Sequence, residues 1–428
     1  MKIRKGVCFI VEGIYFSDVT VVKFGGSSLG TVERLKNSTK LVADKCKKGE
    51  KLIVVTSAMG KTTDDLLKII NGSDLKENRE IDEILAMGER TSIRVIKALL
   101  KSQGVESDYL DIEHDEWPII TNDRHGDADI LLNESEDRIR KTIASRLRKV
   151  DALIVPGFIG RTNDGRITTI GRGGSDATAL VIGGAMKAKE VILASDIDGI
   201  MTADPKLIKK PEIIEEIDVD KLTGIADSGR KFIKKKALAY KKEGVHLRII
   251  NSNSESLDVA GTRIVGTMSD ICVNIESEEN VSAVTVVGTQ LSANPRLLAE
   301  FLNTFHKNGA PLHGMSSNYN SIVFYGPQRK IEQCYEELHE VVTKNKETTA
   351  ISRRDGLGIV VINGIGLQET PGSMARCSSA LQKNGINIYG QYTVMSEIFF
   401  VTQYEDRKKT AGILMDEFDI NGEENGKD

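Results

Sequence analysis

Three glycine-rich segments carry the residues able to do chemistry. In Thr168-Thr-Ile-Gly-Arg-Gly-Gly-Ser-Asp176, three glycines surround Arg172 and the run leads into an apolar helical stretch over 177–187. A helix start offers unpaired N–H donors and the positive end of the helix dipole, both suited to an anion. The planar guanidinium of Arg172 can grip a carboxylate or phosphate through two parallel hydrogen bonds. Ser175 or Asp176 alone would read as a helix cap, but capping does not account for the arginine and the glycines around it. A second segment, Lys23-Phe-Gly-Gly-Ser-Ser28, sets a mobile positive charge beside a turn whose amides can cradle phosphate oxygens. It lacks the G-x-x-x-x-G-K-[ST] spacing of a Walker A loop, and two glycines after a strand are often only a tight turn. The third, Ser195-Asp-Ile-Asp-Gly-Ile-Met-Thr-Ala-Asp-Pro205 followed by Lys206, offers carboxylates to ribose hydroxyls or metal-bound water. Its Asp-Gly and Asp-Pro pairs are also ordinary turn formers.

Such segments need strands and helices to hold them. β-Branched runs at 19–24, 51–57, 150–156 and 191–195 alternate with helical patterns at 31–48, 81–100 and 177–187. Short strands alternating with helices predict a parallel sheet covered on both faces, with ligands at the C-terminal ends of its strands. The glycine-rich segments fall at those ends. A chain of 428 residues exceeds what one hydrophobic core supports, so two or three domains are expected.

Composition narrows the class. With 40% hydrophobic and 28% charged residues the chain is of ordinary globular make-up, and a formal net charge of -4 argues against nucleic acid as the main partner. The five cysteines show no C-x-x-C spacing and the six histidines no zinc-ligand arrangement, so reduced thiols and no metal site are expected. Lys2, Arg4 and Lys5 precede an apolar run at 7–11 that Glu12 cuts off, short of the roughly 7–15 residues of a signal-peptide core. No window approaches the ~20 apolar residues of a membrane span, so a cytoplasmic protein is expected. An Asn- and Ser-rich stretch at 251–261 reads as a linker. Beyond it, two segments repeat a strand, a Pro-containing turn, a helix, a glycine and a strand: 281–325 and 358–402. A repeat of roughly 70 residues points to duplication.

In this order, K-F-G-G-S-S, T-T-x-G-R-G-G-S-D and D-x-D-G-x-x-T-A-D-P resemble the aspartate kinases of the amino-acid kinase family, over residues 19–420. The resemblance implies an α/β amino-acid kinase fold, a largely parallel sheet sandwiched by helices, followed by two ferredoxin-like ACT domains. It implies an N-terminal extension at 1–19, a catalytic domain at 20–255, a linker with the first regulatory strand at 256–280, and ACT domains at 281–350 and 351–428. The implied reaction is phosphorylation of the β-carboxylate of L-aspartate by ATP, with Mg²⁺ held mainly by the nucleotide phosphates. Lys23 and Asp176 match catalytic positions, and Ser57, Glu89, Arg172 and Ser175 substrate-binding positions. Gly25, Gly26, Ser27, Ser195, Asp196, Thr202, Asp204, Pro205, Lys206 and Lys231, with Lys23, match nucleotide-binding positions. By its helical context alone Glu89 would read as a solvated face.

The sequence departs from the family at Met201, where an aromatic is common, at Lys206 for arginine, and at Lys234 for histidine. The ACT resemblance implies an amino-acid effector, lysine first and threonine second, at Ser292, Ala293, Asn294, Pro295 and His313, with assembly as a homodimer or dimer of dimers. His313 takes a position often held by aspartate. Another carboxylate kinase of this fold, or a sensor that lost catalysis, are the alternatives; Lys23 and Asp176 argue against the second. The chain ends soon after the second repeat, so no fused homoserine dehydrogenase is expected.

Overall fold

The computed structural model describes residues 10–420 other than 12–13, 16–18, 74, 76, 228–232, 269–270, 365–366, 368–369 and 395. The chain forms two compact units, Met1–Met268 and Ser269–Asp428. Among the described residues no helix is long and apolar enough to cross a membrane.

The first unit opens with a two-stranded ribbon, β1 (Ile10–Val11) and β2 (Ile14–Tyr15). There follow β3 (Val19–Phe24), α1 (Val32–Lys47), β4 (Lys51–Thr56), α2 (Thr62–Asn71), α3 (Asn78–Ser102) and β5 (Ser107–Tyr109). Next come α4 (Leu132–Leu147), β6 (Ala152–Pro156), the hairpin of β7 (Ile159–Arg161) and β8 (Ile167–Thr169), α5 (Gly174–Met186) and β9 (Glu190–Ser195). The unit closes with β10 (Glu216–Asp218), α6 (Val219–Asp227), α7 (Lys235–Leu238), β11 (Leu247–Asn251) and β12 (Thr262–Val265).

Eight of these strands form one sheet in the order β10-β12-β11-β9-β3-β4-β6-β5, parallel throughout except between β11 and β12. Side chains alternate between faces along each strand. Val22, Phe24 and Val54 meet Leu41 of α1 and Ile93 and Ile96 of α3 on one face. Val21, Val55 and Leu193 meet Ile139 and Ile143 of α4 and Leu180 of α5 on the other. Helix α5 is buried almost all round. A Cβ on its Gly183 would stand 2.3 Å from Val191 Cγ2, so that glycine lets the helix lie directly on β9.

The 251–261 stretch is not a linker. The chain returns at β12, which pairs with β10 and β11, and the first unit ends only at Met268. The polar loop is tied down from beneath: the Arg248 guanidinium donates to the Leu257 carbonyl at 2.9 Å and to the Val259 carbonyl, and pairs with Glu190. Leu257 is fully buried, and Asp258 pairs with Lys45 at 2.6 Å.

The second unit contains β13 (Cys272–Ile275), β14 (Val281–Gly288), α8 (Pro295–Lys307), β15 (Gly314–Ser317), β16 (Ser321–Pro327) and α9 (Gln328–Lys344). It continues with β17 (Thr348–Asn363), α10 (Ser373–Lys383), β18 (Gly390–Val394), β19 (Glu397–Gln403) and α11 (Arg407–Glu417). The first repeat is a βαββαβ module; the second has the same four strands and two helices in the chain order ββαββα, its outer strand being β13. The first has the strand order β15-β16-β14-β17; the second has β18-β19-β17-β13. The sixteen-residue β17 serves both, pairing with β14 over its first half and with β19 and β13 over its second. The boundary expected at 350/351 therefore falls inside a strand, and the fourth strand of the second module precedes the first module in sequence.

Each module has its own helix-covered core, and a third cluster joins them through Ala283, Tyr325, Ile359 and Val401. There Tyr392 stacks on Phe399 at 4.6 Å and on Tyr325 at 6.0 Å. The Tyr392 hydroxyl donates to the His313 carbonyl at 3.1 Å and lies 2.3 Å from where Gly314 would carry a Cβ. Gly314→Ala is expected to push Tyr392 out of this stack and lower stability by about 1–3 kcal/mol, with the loss read in denaturant unfolding; an unchanged midpoint would show that the contact yields freely.

Candidate active site

The C-terminal ends of β3, β4 and β6 and the start of α5 surround a cavity of about 590 Å³. Beyond β3 the chain makes a tight turn, with the Ser28 amide donating to the Gly25 carbonyl at 3.0 Å and the Gly60 amide to the Gly26 carbonyl at 3.0 Å. A Cβ on Gly26 would sit 3.0 Å from both the Ala58 and Gly60 carbonyls, so the loops after β3 and β4 approach this closely only through glycine.

Lys23 reaches from the end of β3 to Asp176 in the first turn of α5, Nζ to Oδ1 at 2.5 Å, with both side chains 15% exposed. The pair lines the large cavity and also a smaller recess of about 40 Å³ bounded by Ser195, Ile197 and Leu193. It thus faces two compartments. Ser57 donates to Ser175 at 3.0 Å across the cavity floor, and the close approach of α5 to the end of β6 needs Gly157, whose Cβ would stand 2.6 Å from Ser175 Cβ. Arg172 lies exposed on the cavity wall between Gly171 and Gly173, whose φ angles of 82° and 89° are left-handed. The glycines on either side of the arginine are thus required by the backbone path that presents it.

Opposite stands Glu89. It is 3% exposed, accepts the Ala58 amide at 2.9 Å through Oε1, and its buried Oε2 has no hydrogen-bond partner among the described residues. Burial pushes its carboxyl up to about 7, against the lowering effect of the amide bonds. Helix α3 comes this close because residue 88 is glycine: a Cβ there would stand 2.7 Å from Ala58 Cβ. The expectation of a solvated face from helical context fails for that reason.

Of the residues picked from sequence, Lys23, Gly26, Ser57, Glu89, Arg172, Ser175 and Asp176 share the cavity. Gly25 lies beside Lys23 Nζ, Ser27 takes a hydrogen bond from Arg34 on its carbonyl, and Ser195 lines the recess. Asp196, Thr202, Asp204, Pro205 and Lys206 run along the chain beyond β9. There Thr202 Oγ1 accepts the Glu212 amide, which closes a ten-residue loop, and Asp204 accepts the Lys206 amide in a local turn. Lys231 lies outside the described residues. Thr169 and Lys234 also line the cavity and were not singled out as ligand residues from sequence.

In the second unit, Ser292 and Ala293 are exposed, Asn294 caps α8 by accepting the Leu297 amide at 3.2 Å, and Pro295 is the first helical residue. His313 lies past the other end of α8, a helix of thirteen residues and so about 20 Å long. Within one chain these residues do not come together. The His313 ring is half-buried, which pushes its pKa down, and its buried Nε2 has no hydrogen-bond partner among the described residues.

Because the Glu89 carboxyl titrates higher folded than its ordinary 4.5, its penalty on the fold is absent at low pH, grows as pH rises from 4.5 and is complete above about 7. That shift corresponds to about 3 kcal/mol. Glu89→Gln is therefore expected to raise the melting temperature of the ligand-free protein at pH 8 and to do so far less at pH 5. Equal effects at both values would show that Glu89 is not held against its ionised form.

The profile of the amino acid kinase family matches residues 18–251. The aspartokinase of Corynebacterium glutamicum is 29% identical over 422 residues, 95% of this chain and 97% of its own. That of Geobacillus stearothermophilus is 30% identical over 402 residues, 92% and 95% of the two chains. Among solved structures, the aspartate kinase from Synechocystis superposes with a TM-score of 0.75 at 23% identity, over 95% of this chain and 71% of that one. The aspartokinase III of E. coli, solved in complex with aspartate and ADP, gives 0.52 at 20% identity over 93% and 99%.

Proposed function

The chain belongs to the amino acid kinase family and within it to the aspartokinases, and from that premise we propose that it transfers the γ-phosphoryl group of ATP to the β-carboxylate of L-aspartate, giving 4-phospho-L-aspartate. The observation that carries this reading is the buried, half-satisfied carboxylate of Glu89 facing a cavity that also presents Arg172 and Lys23. A buried acceptor without a partner is costly, and a substrate ammonium group would satisfy it. Arg172 would take the α-carboxylate in a bidentate grip. With both ends of the zwitterion held, the side-chain carboxylate is left to face Lys23 and the recess beyond it. An N-acylated amino acid has no ammonium to offer Glu89, which disfavours it as a substrate.

The β-carboxylate is ionised at pH 7 and needs no general base. One of its oxygens attacks the γ-phosphorus while the bond to the β–γ bridging oxygen breaks, and ADP leaves with those electrons. The obstacle is the meeting of two anions, so catalysis is positioning and charge neutralisation. Lys23, already desolvated against Asp176, would exchange that partner for the transferring phosphoryl. The turn Gly25–Ser27 would receive phosphate oxygens on its amides. Ser195, Asp196, Thr202, Asp204, Pro205, Lys206 and Lys231 would hold the remainder of the nucleotide. Among the described residues no group of three or more His, Cys, Asp or Glu converges as a metal site. Mg²⁺ would arrive on the nucleotide phosphates, where it would neutralise charge.

The reading extends to control of aspartate-derived amino-acid synthesis through the second unit. Its two four-stranded, two-helix modules support an amino-acid effector, lysine first and threonine second, and the E. coli enzyme has been solved with lysine and aspartate. The contacts proposed are Ser292, Ala293, Asn294 and Pro295 at one end of α8, with His313 at the other. Pairing of second units from two chains would give a homodimer or a dimer of dimers, in the cytoplasm.

A coupled ADP-release assay with L-aspartate, L-glutamate and N-acetylglutamate tests the reaction; no turnover with aspartate would sink it. Repeating it with saturating lysine and threonine tests the control, which full activity in both would exclude. Arg172→Ala should raise KM for aspartate about 10- to 100-fold and leave KM for ATP within a few-fold, whereas equal rises would show the residue misassigned. Since the ammonium needs ionised Glu89, KM for aspartate should rise as pH falls through about 7, and a KM flat from pH 6 to 8 would remove Glu89 from that role.

A further inference from the structure

Asp82 is 0% exposed, yet it lies on α3 seven residues before Glu89, two helical turns away on the same side of the helix. Its carboxylate is fully engaged. Oδ1 accepts the Thr169 hydroxyl at 2.5 Å, Oδ2 meets His125 Nδ1 at 2.7 Å, and both oxygens accept the Gly126 amide at 3.2 Å. Thr169 and Gly126 both line the large cavity.

The segment held in this way is a spacer between the two ends of the proposed amino-acid site. On one side Asp82 fixes residues 125 and 126 to the helix that carries Glu89. On the other, the same segment lies against Gly171: a Cβ there would stand 2.5 Å from Asp127 Oδ1 and 3.2 Å from the Gly126 carbonyl. Gly171 precedes Arg172. The Ala128 amide donates to the Thr169 carbonyl at 2.9 Å, so the segment is tied to strand β8. From α7, Lys236 clamps the far end, donating to the Asp127 and Ala128 carbonyls at 3.1 and 3.0 Å and pairing with Asp127.

We infer that Asp82 is a positioning residue for substrate recognition: through His125, Gly126 and Thr169 it sets the distance between Glu89, which takes the ammonium, and Arg172, which takes the α-carboxylate. The inference rests on the function proposed above and deepens it. A buried carboxylate with four hydrogen bonds is costly to disturb, which suits a gauge between two groups that must match the span of one small zwitterion. Displacement of a recognition group by about 1 Å can cost on the order of a hundredfold.

The test is steady-state kinetics on the full chain. Asp82→Asn and Thr169→Val are each expected to raise KM for L-aspartate about tenfold with KM for ATP within twofold, while Thr169→Ser, which keeps the hydroxyl, stays near wild type. In an Arg172→Ala background, Asp82→Asn should add less than threefold to the loss in kcat/KM for aspartate, since its effect passes through Arg172. If Asp82→Asn does not fold, by circular dichroism, the Thr169 pair and its cycle with Arg172→Ala decide. Unchanged KM for aspartate in the folded variants, parallel rises in both KM values, or full additivity with Arg172→Ala would each overturn the inference and leave the kinase reading intact. Absence of aspartate phosphorylation by the wild-type chain would overturn both.

Discussion

The ion pair between Lys23 and Asp176 is the constraint on which the first unit turns. Either charge alone, at 15% exposure, would be expensive to withdraw from water; together they compensate, and Asp176 gains further from the positive end of α5. The pair can form only if the end of β3 and the start of α5 meet at one level, and that requires the sheet beneath. Parallel neighbours β9 and β4 hold β3 in register, and a helix buried almost all round is pressed onto β9 at a glycine. Because the pair faces both the cavity and the recess, it is a wall as well as a charge. In the proposed reaction an anion arriving from the recess would meet an ammonium group already aimed and partly dehydrated, and the lysine would change its partner but not its place.

The residues legible in the sequence were those whose chemistry is written locally. Lys23, Arg172 and Asp176 sit inside glycine-rich runs, and the left-handed angles at Gly171 and Gly173 explain why that pattern survives as a short string. Glu89 was legible only through resemblance, because helical periodicity assigned it to solvent; what buries it is the missing side chain of Gly88 against Ala58, a contact between positions thirty apart. Asp82 was not legible at all. Its partners lie about 43 to 87 residues further along the chain, and nothing in its neighbourhood of Arg, Glu and Ile distinguishes it from a surface aspartate.

Composition misled at 251–261, where Asn, Ser and Gly suggested a linker. Polar loops and linkers share that composition; the difference was made by Arg248 and Lys45, which tie the loop from other elements. In the second unit the repeat was visible because proline, helix and glycine recur in order. Its completion was not visible, because half of each module lies in amphipathic helices and strands with no such punctuation. Asn294 shows the limit of motif reading in the other direction: the side chain that resembles an effector contact is also a helix cap with its bond already made.

The strand β17, shared by both modules, makes the second unit topologically nested: one module is inserted between the first strand and the remainder of the other. Cys272 at the start of β13 pairs with Asn363 at the end of β17, and β19 is still further along the chain. During synthesis, at about 5–20 residues per second, β13 therefore leaves the ribosome many seconds before any strand it can pair with. Over that interval β14 to α9 of the inserted module can assemble, but its last strand and the partner of β13 both lie on β17, so β13 stays an unpaired edge until β17 is made. The order in which the unit is translated is thus not the order in which it can close, and in the window between the two β13 presents an edge open to pairing with the wrong strand.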